Sequence, residues 1–181
     1  MKTSNAFAKW SSIVSVIVIG GLGCISASAQ TQTNKWRVGV YDSRAVAVAW
    51  GNSTEFREFV KSMEADHKKA KEAGDGKRVK EIESQMQLRQ RRAHEQAFST
   101  GSVAPVMARV KDSLPDIAKQ AGVQIIVSKW ELNHHSSDVE IVDVTDKIVA
   151  LWHVNERGLK WCKEIQQKPP VPIDQLADSM D

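Results

Sequence analysis

The chain has 181 residues, 41% hydrophobic and 26% charged, a length and balance that allow one domain with a modest core plus appendages. Its formal net charge of +3 is too small to argue for a nucleic-acid ligand. Of its two cysteines, Cys24 falls inside the N-terminal signal described next, so the exported part keeps Cys162 alone and cannot form an intrachain disulfide.

Lys2 and Lys9 precede an apolar run from Ile13 to Leu22, and Ala27-Ser28-Ala29 follows. A charged start, a short apolar middle and a small-x-small end make a secretory signal peptide over 1–29, with cleavage expected after Ala29. At about ten residues the run is too short for a comfortable membrane span. The rival reading is lipid attachment at Cys24 after Leu22-Gly23, although Gly21 stands where a lipoprotein signal uses a larger aliphatic residue.

Thr31 to Lys35 is polar linker. Trp36 to Asp42 alternates its side chains and predicts a strand, with Trp36, Val38 and Val40 on one face. Ser43 is then expected to cap a short helix, Arg44 to Trp50, ended by Gly51. Residues 52–98 read as two charged amphipathic helices folded back at Gly74-Asp75-Gly76. Asn52 and Glu55 form the expected capping box. Phe56, Phe59, Val60, Met63 and Ala70 make the first apolar stripe, and Val79, Ile82, Met86, Ala93 and Ala97 the second. Glycine accepts positive φ at the turn and Asp75 caps the returning helix. Such a rod has nothing to bury its outer faces against, so it must project from a body.

The body is expected from 30–51 and 99–152. Val103 to Ala121 carries the cleanest apolar stripe and predicts one long helix, kinked at Pro115 and ended by Gly122. Val123 to Ser128 is the strongest strand, with an extension through Trp130 to Leu132 left open. Val139 to Val144 is expected to be its antiparallel hairpin partner, and Thr145 to cap a helix from Asp146 to Trp152. Asn155 to Gln167 is a further helix. Beyond it Pro169, Pro170 and Pro172 predict an irregular, mobile tail, so that 153–181 is a C-terminal helix plus tail. The fold class is therefore α+β: a small antiparallel β body with a protruding helical hairpin.

This order of elements resembles the Skp (OmpH-like) family of periplasmic chaperones. The likeness spans residues 35–151. It is carried by Gly122-Val123-Gln124-Ile125-Ile126-Val127-Ser128 as the apolar second strand, and by Ser136-Ser137-Asp138-Val139, Asp143-Val144-Thr145 and Ile148 as turn, third strand and closing helix. Lys35 to Ser43 takes the place of the first strand. The resemblance implies a periplasmic homotrimer whose small sheets pack together, with coiled-coil-like arms around a cavity that holds unfolded outer-membrane polypeptides without ATP. Arms shorter than those of Skp, the segment Tyr41 to Trp50 and the extra tail from Trp152 depart from the pattern.

A holdase of this kind needs no catalytic residue, cofactor or metal. It needs a surface apolar enough to hold a client and charged enough to stay soluble. The candidate client-binding residues on the arms are Phe56, Phe59, Met63, Val79, Ile82, Met86, Arg89 and Arg92, with Val60 and Phe98 beside them. The same stripe also reads as the seam between the arms. Arg89, Arg91 and Arg92 either attract an acidic client or an anionic membrane surface, or are simply solvated. His134 and His135, adjacent in an extended turn, point apart and have no third ligand at metal spacing. Asp42, Ser43 and Arg44 follow a strand end and read either as an anion or catalytic pocket or as helix capping. Trp36, Trp50, Trp130, Trp152 and Trp161 are expected in core and subunit contacts. An envelope adaptor with one defined partner, and an exported enzyme or small-ligand binder acting near Asp42, remain alternatives to the chaperone.

Overall fold

The computed structural model describes residues 35–178, so the signal segment, the cleavage after Ala29 and Cys24 lie outside the described residues. Strand β1 (Arg37–Tyr41) is the middle of a three-stranded sheet between β2 (Ile125–Ser128) and β3 (Glu140–Asp143). Both neighbours run parallel to it: Val38 lies opposite Ile125 and Ile141, and Gly39 opposite Ile126 and Val142. The protein is α+β as expected, but the expected antiparallel body is corrected, because β2 and β3 flank β1 and do not pair with each other. The connection over 129–139 is the physical reason. Its first residue continues the ladder, Lys129 N–H donating to Tyr41 O, and the chain then returns the length of the sheet so that Glu140 N–H donates to Trp36 O. A return of that length is a crossover, the connection parallel strands require.

Strand alternation splits the sheet into two faces. Tyr41, Ile126 and Val142 join the main core. Val38, Val40, Ile125, Val127 and Ile141 face the other way and lie outside that core. On that second side Ile125 is 50% exposed, and Trp36, one step before the strand, is 59% exposed.

The core is built on α1 (Ser43–Gly51), whose Ala45, Val46 and Ala49 are wholly buried. Its run Ala-Val-Ala-Val-Ala is apolar nearly all round, the mark of a helix enclosed by others. It packs on α6 (Thr145–Ala150), α7 (Glu156–Gln166) and α3 (Gly76–Phe98). Helix α1 is thus the centre of the body. Trp152 is buried against it, at 5.1 Å from Trp50.

Four local expectations shift. The cap of α1 is Asp42, whose Oδ1 accepts from Arg44 N–H at 3.0 Å, and Ser43 is the first helical residue. The cap of α2 (Thr54–Glu72) is Ser53, whose Oγ accepts from Phe56 N–H at 3.1 Å. Asn52 instead closes α1, its side chain donating to Val48 O. The long helix from Val103 is broken into α4 (Ala104–Met107), a 3-10 turn (Lys111–Ser113) and α5 (Leu114–Ala121). Pro115 lies in the first turn of α5, where its missing N–H costs nothing, instead of kinking a longer helix. Thr145 does not cap α6: its Oγ1 accepts from Asp42 N–H at 3.0 Å, and its own N–H goes to Asp143 Oδ1.

Helices α2 and α3 pack against each other and are 19 and 23 residues long, or about 28 and 34 Å. At the tip, Gly74 adopts φ 66°, Asp75 N–H donates to Ala70 O and Gly74 N–H to Lys71 O. This is a Schellman ending, and it needs glycine at the left-handed position. Asp75 Oδ1 then caps α3 through Arg78 N–H at 2.9 Å. His67 Nε2 meets Glu83 Oε1 at 3.0 Å across the pair. Of both helices only Ala70, Ile82 and Gln96 are buried. At the far end Gly101 lets the chain turn against Glu95, whose carbonyl a Cβ would meet at 2.9 Å.

The proline-rich tail is not irregular throughout. Val171 N–H donates to Phe98 O, and α8 (Ile173–Asp178) follows with Leu176 buried. The prolines end α7, and the next apolar residues then find a docking place on α3.

Candidate functional site

At the root of the hairpin, where α1, α2, α3 and α4 meet, lies a cleft of about 160 Å³. Trp50, Phe56 and Phe59 form the aromatic part of its wall, beside Ala47, Ala93, Gln96, Pro105 and Val106. Trp50, at the end of α1, meets Phe56 edge to face at 5.6 Å, and Phe56 meets Phe59 at 6.5 Å. Three arginines edge it: Arg89 and Arg92 from α3, and Arg109 from the turn after α4. The Arg89 guanidinium sits 4.6 Å over the Phe59 ring and that of Arg109 4.3 Å over Trp50. Stacking on a ring face satisfies a guanidinium's flat side and leaves its edge N–H groups free to point elsewhere. Arg109 also pairs with Glu55 of α2, which ties the hairpin to the body.

The structure brings together four of the candidate client-binding residues, Phe56, Phe59, Arg89 and Arg92, around this cleft. The other four lie further along the rod. Ile82 is 2% exposed and belongs to the seam between the helices. Met63 and Val79 are half-buried, and Met86 is exposed at 36%. The stripe therefore serves as seam in its distal half and as a partly open surface near the root. Trp50 and Arg109 are the members that periodicity within the hairpin misses, because they come from α1 and from beyond the hairpin.

Asp42 and Arg44 line no open pocket, whereas Ser43 lines a small cleft of about 60 Å³ with Tyr41, Ser128 and Glu131. Asp42 and Arg44 are both wholly buried. Arg44 Nε donates to Asp42 Oδ1 at 3.1 Å and Nη2 to Oδ2 at 2.9 Å, a two-pronged pair. Lys129 Nζ approaches Oδ2 at 2.8 Å and Trp130 Nε1 donates to Oδ1 at 3.2 Å. Burial pushes the Asp42 carboxyl up, but the hydrogen bonds and charges of Arg44 and Lys129 outweigh it and hold it below the usual carboxylate range. A carboxylate saturated in this way has no free lone pair for substrate. It and Arg44 line neither the root cleft nor a smaller one of about 60 Å³ beside Tyr41 and Glu131. The cluster locks the end of β1 to the start of the crossover.

Cys162 is buried, its thiol donating to Ala45 O at 3.4 Å. Burial, reinforced by the Asp146 charge, pushes its pKa up to about 11, which favours the protonated thiol at neutral pH. His134 and His135 are exposed in the crossover, with His135 Nδ1 3.1 Å from Ser136 O. Of the tryptophans, Trp152 is core, Trp50 and Trp130 are half-buried, and Trp36 and Trp161 stand exposed. Among the described residues no helix is long and apolar enough to cross a membrane. No protein-family model matches this chain, and no curated protein or solved structure matches it either.

Proposed function

We propose that the protein is a periplasmic, ATP-independent holdase of the Skp type, exported by its signal peptide and assembled as a homotrimer. In this reading its arms hold unfolded or outer-membrane-destined polypeptides. The observation that carries the reading is the hairpin: two helices of 19 and 23 residues that bury three residues between them. Short isolated helices are marginal in water, and a chain that spends this much length on solvent-facing helix is presenting a surface. An aromatic and arginine-rich cleft at its root gives that surface both apolar grip and charge. The trimer is supported by the second face of the sheet, where Ile125 and Trp36 are exposed beside the half-buried Val127 and Ile141, while Val38 and Val40 of the central strand are already buried. An apolar face of this kind suits subunit packing.

The mass of the exported protein in solution tests the assembly: three chain masses are expected, and a folded monomer at micromolar concentration would leave the client cavity without walls. Suppression of aggregation then tests the activity. Several unrelated unfolded porins should stay soluble at near-stoichiometric ratios. If the protein is trimeric but protects none of them, the adaptor reading takes over, with one defined envelope partner on the same arms.

A further inference from the structure

We infer that the root cleft seats one aromatic side chain of an acidic peptide segment, with the segment's carboxylates on Arg89 and Arg92. The inference rests on the reading that the arms hold polypeptide, and it names which feature of a polypeptide they select. Size sets the first limit. The cleft of about 160 Å³ opens to the surface between Trp50, Phe56 and Phe59 on one hand and Gln96 and three arginines on the other, with room for one ring and not for a folded element. Its walls, Trp50, Phe56 and Phe59, already meet one another at edge or tilted angles, the geometry that a further ring would extend.

Charge sets the second limit. Three guanidiniums edge the cleft, and Glu55 answers only Arg109. Arg89 has the Phe59 ring beneath it, and Arg92 has no carboxylate partner among the described residues. Two arginines on successive turns of one helix side, three positions apart, can grip carboxylates that flank a single side chain. A basic peptide would be repelled. An apolar peptide without acids would leave both guanidiniums unanswered.

Fluorescence anisotropy of the exported protein at low salt tests this with three labelled peptides. One has a single phenylalanine between two aspartates, one has alanine for the phenylalanine, and one has lysines for the aspartates. The first should bind at least roughly tenfold tighter than either control, and Arg92→Gln and Arg89→Gln should each weaken it by roughly tenfold, the loss expected for one charge-assisted bond. Arg78→Gln, at the distant tip, should leave it unchanged. Equal binding of the three peptides, or indifference to both arginine substitutions, overturns the inference. So does binding of phosphatidylglycerol vesicles with that arginine dependence and no binding of the first peptide, which would make the cleft a membrane contact. Peptide selectivity without protection of unfolded porins would sink the holdase and keep the cleft; protection without selectivity would do the reverse.

Discussion

The two ends of the molecule use charge in opposite ways. In the body, Asp42 and Arg44 are wholly buried and bound to each other by two hydrogen bonds, with Lys129 and Trp130 completing the shell. In the hairpin, Lys68 and Glu72 stand 3.8 Å apart on adjacent turns with their side chains more than half exposed. The same residue types make a structural lock in one place and a solubility coat in the other. The difference lies in what water can do: it competes for the hairpin pair and cannot reach the buried one. The lesson is that exposed pairs such as Lys68 and Glu72 along the hairpin can change with little effect on stability, while the Asp42–Arg44 pair cannot.

Arg44→Met should break this contrast most forcefully. It leaves Asp42 buried with only Lys129 to answer it, and the expected loss is about 3–5 kcal/mol in denaturant-induced unfolding. The acid side of the stability curve should follow the same carboxylate. The folded pKa of Asp42 lies below its unfolded value of about 3.9, so its stabilisation is full above that pH and disappears as pH falls through the folded value. Asp42→Asn should flatten that acid limb, which thermal melts across pH 2 to 6 would reveal.

Ile82→Ala comes next, at about 2–4 kcal/mol, because it empties the buried centre of the seam. Its effect should be local. Hydrogen exchange should speed up in α2 and α3 while the amides of α1 and β1 keep their protection. Gly74→Ala, at the tip, should cost about 1–2 kcal/mol through its left-handed backbone, read in the same exchange experiment. Glu72→Gln should shift unfolding by under about 0.5 kcal/mol, a change at the edge of detection in a thermal melt. If Glu72→Gln proved as costly as Arg44→Met, the contrast between coat and lock would fail.

Much of the hairpin is legible from the residues, because 3.6-residue periodicity over about twenty positions is a strong signal and Gly74-Asp75 names its own turn. The caps are each displaced by one place, to Asp42 and Ser53, where neighbouring residues of the same capping type leave the choice to tertiary contacts. Sheet direction is harder. Strands of four or five residues carry no mark of parallel or antiparallel pairing, and the nearest strand in sequence is the natural first guess. The crossover is visible only through Trp36 and Tyr41, which take its two ends. The break after Met107 leaves no mark in the apolar stripe. For the site, Phe56, Phe59, Arg89 and Arg92 were readable as one surface. Trp50 and Arg109 join them only by folding, and nothing within the hairpin's own pattern points to either.

The position of β1 in the middle of the sheet sets the order in which the chain can fold. Arg37 meets Gln124 across 87 positions and Glu140 across 103. Closing contacts that distant is slow, whereas a helical pair with a tight turn assembles from local contacts within microseconds. A nascent chain therefore carries a central strand with both edges bare until the last third of the sequence arrives. Truncation ahead of Glu140 would remove one edge partner, truncation ahead of Ile125 would remove both, and in the second case the Asp42–Arg44 pair would also lose Lys129 and Trp130.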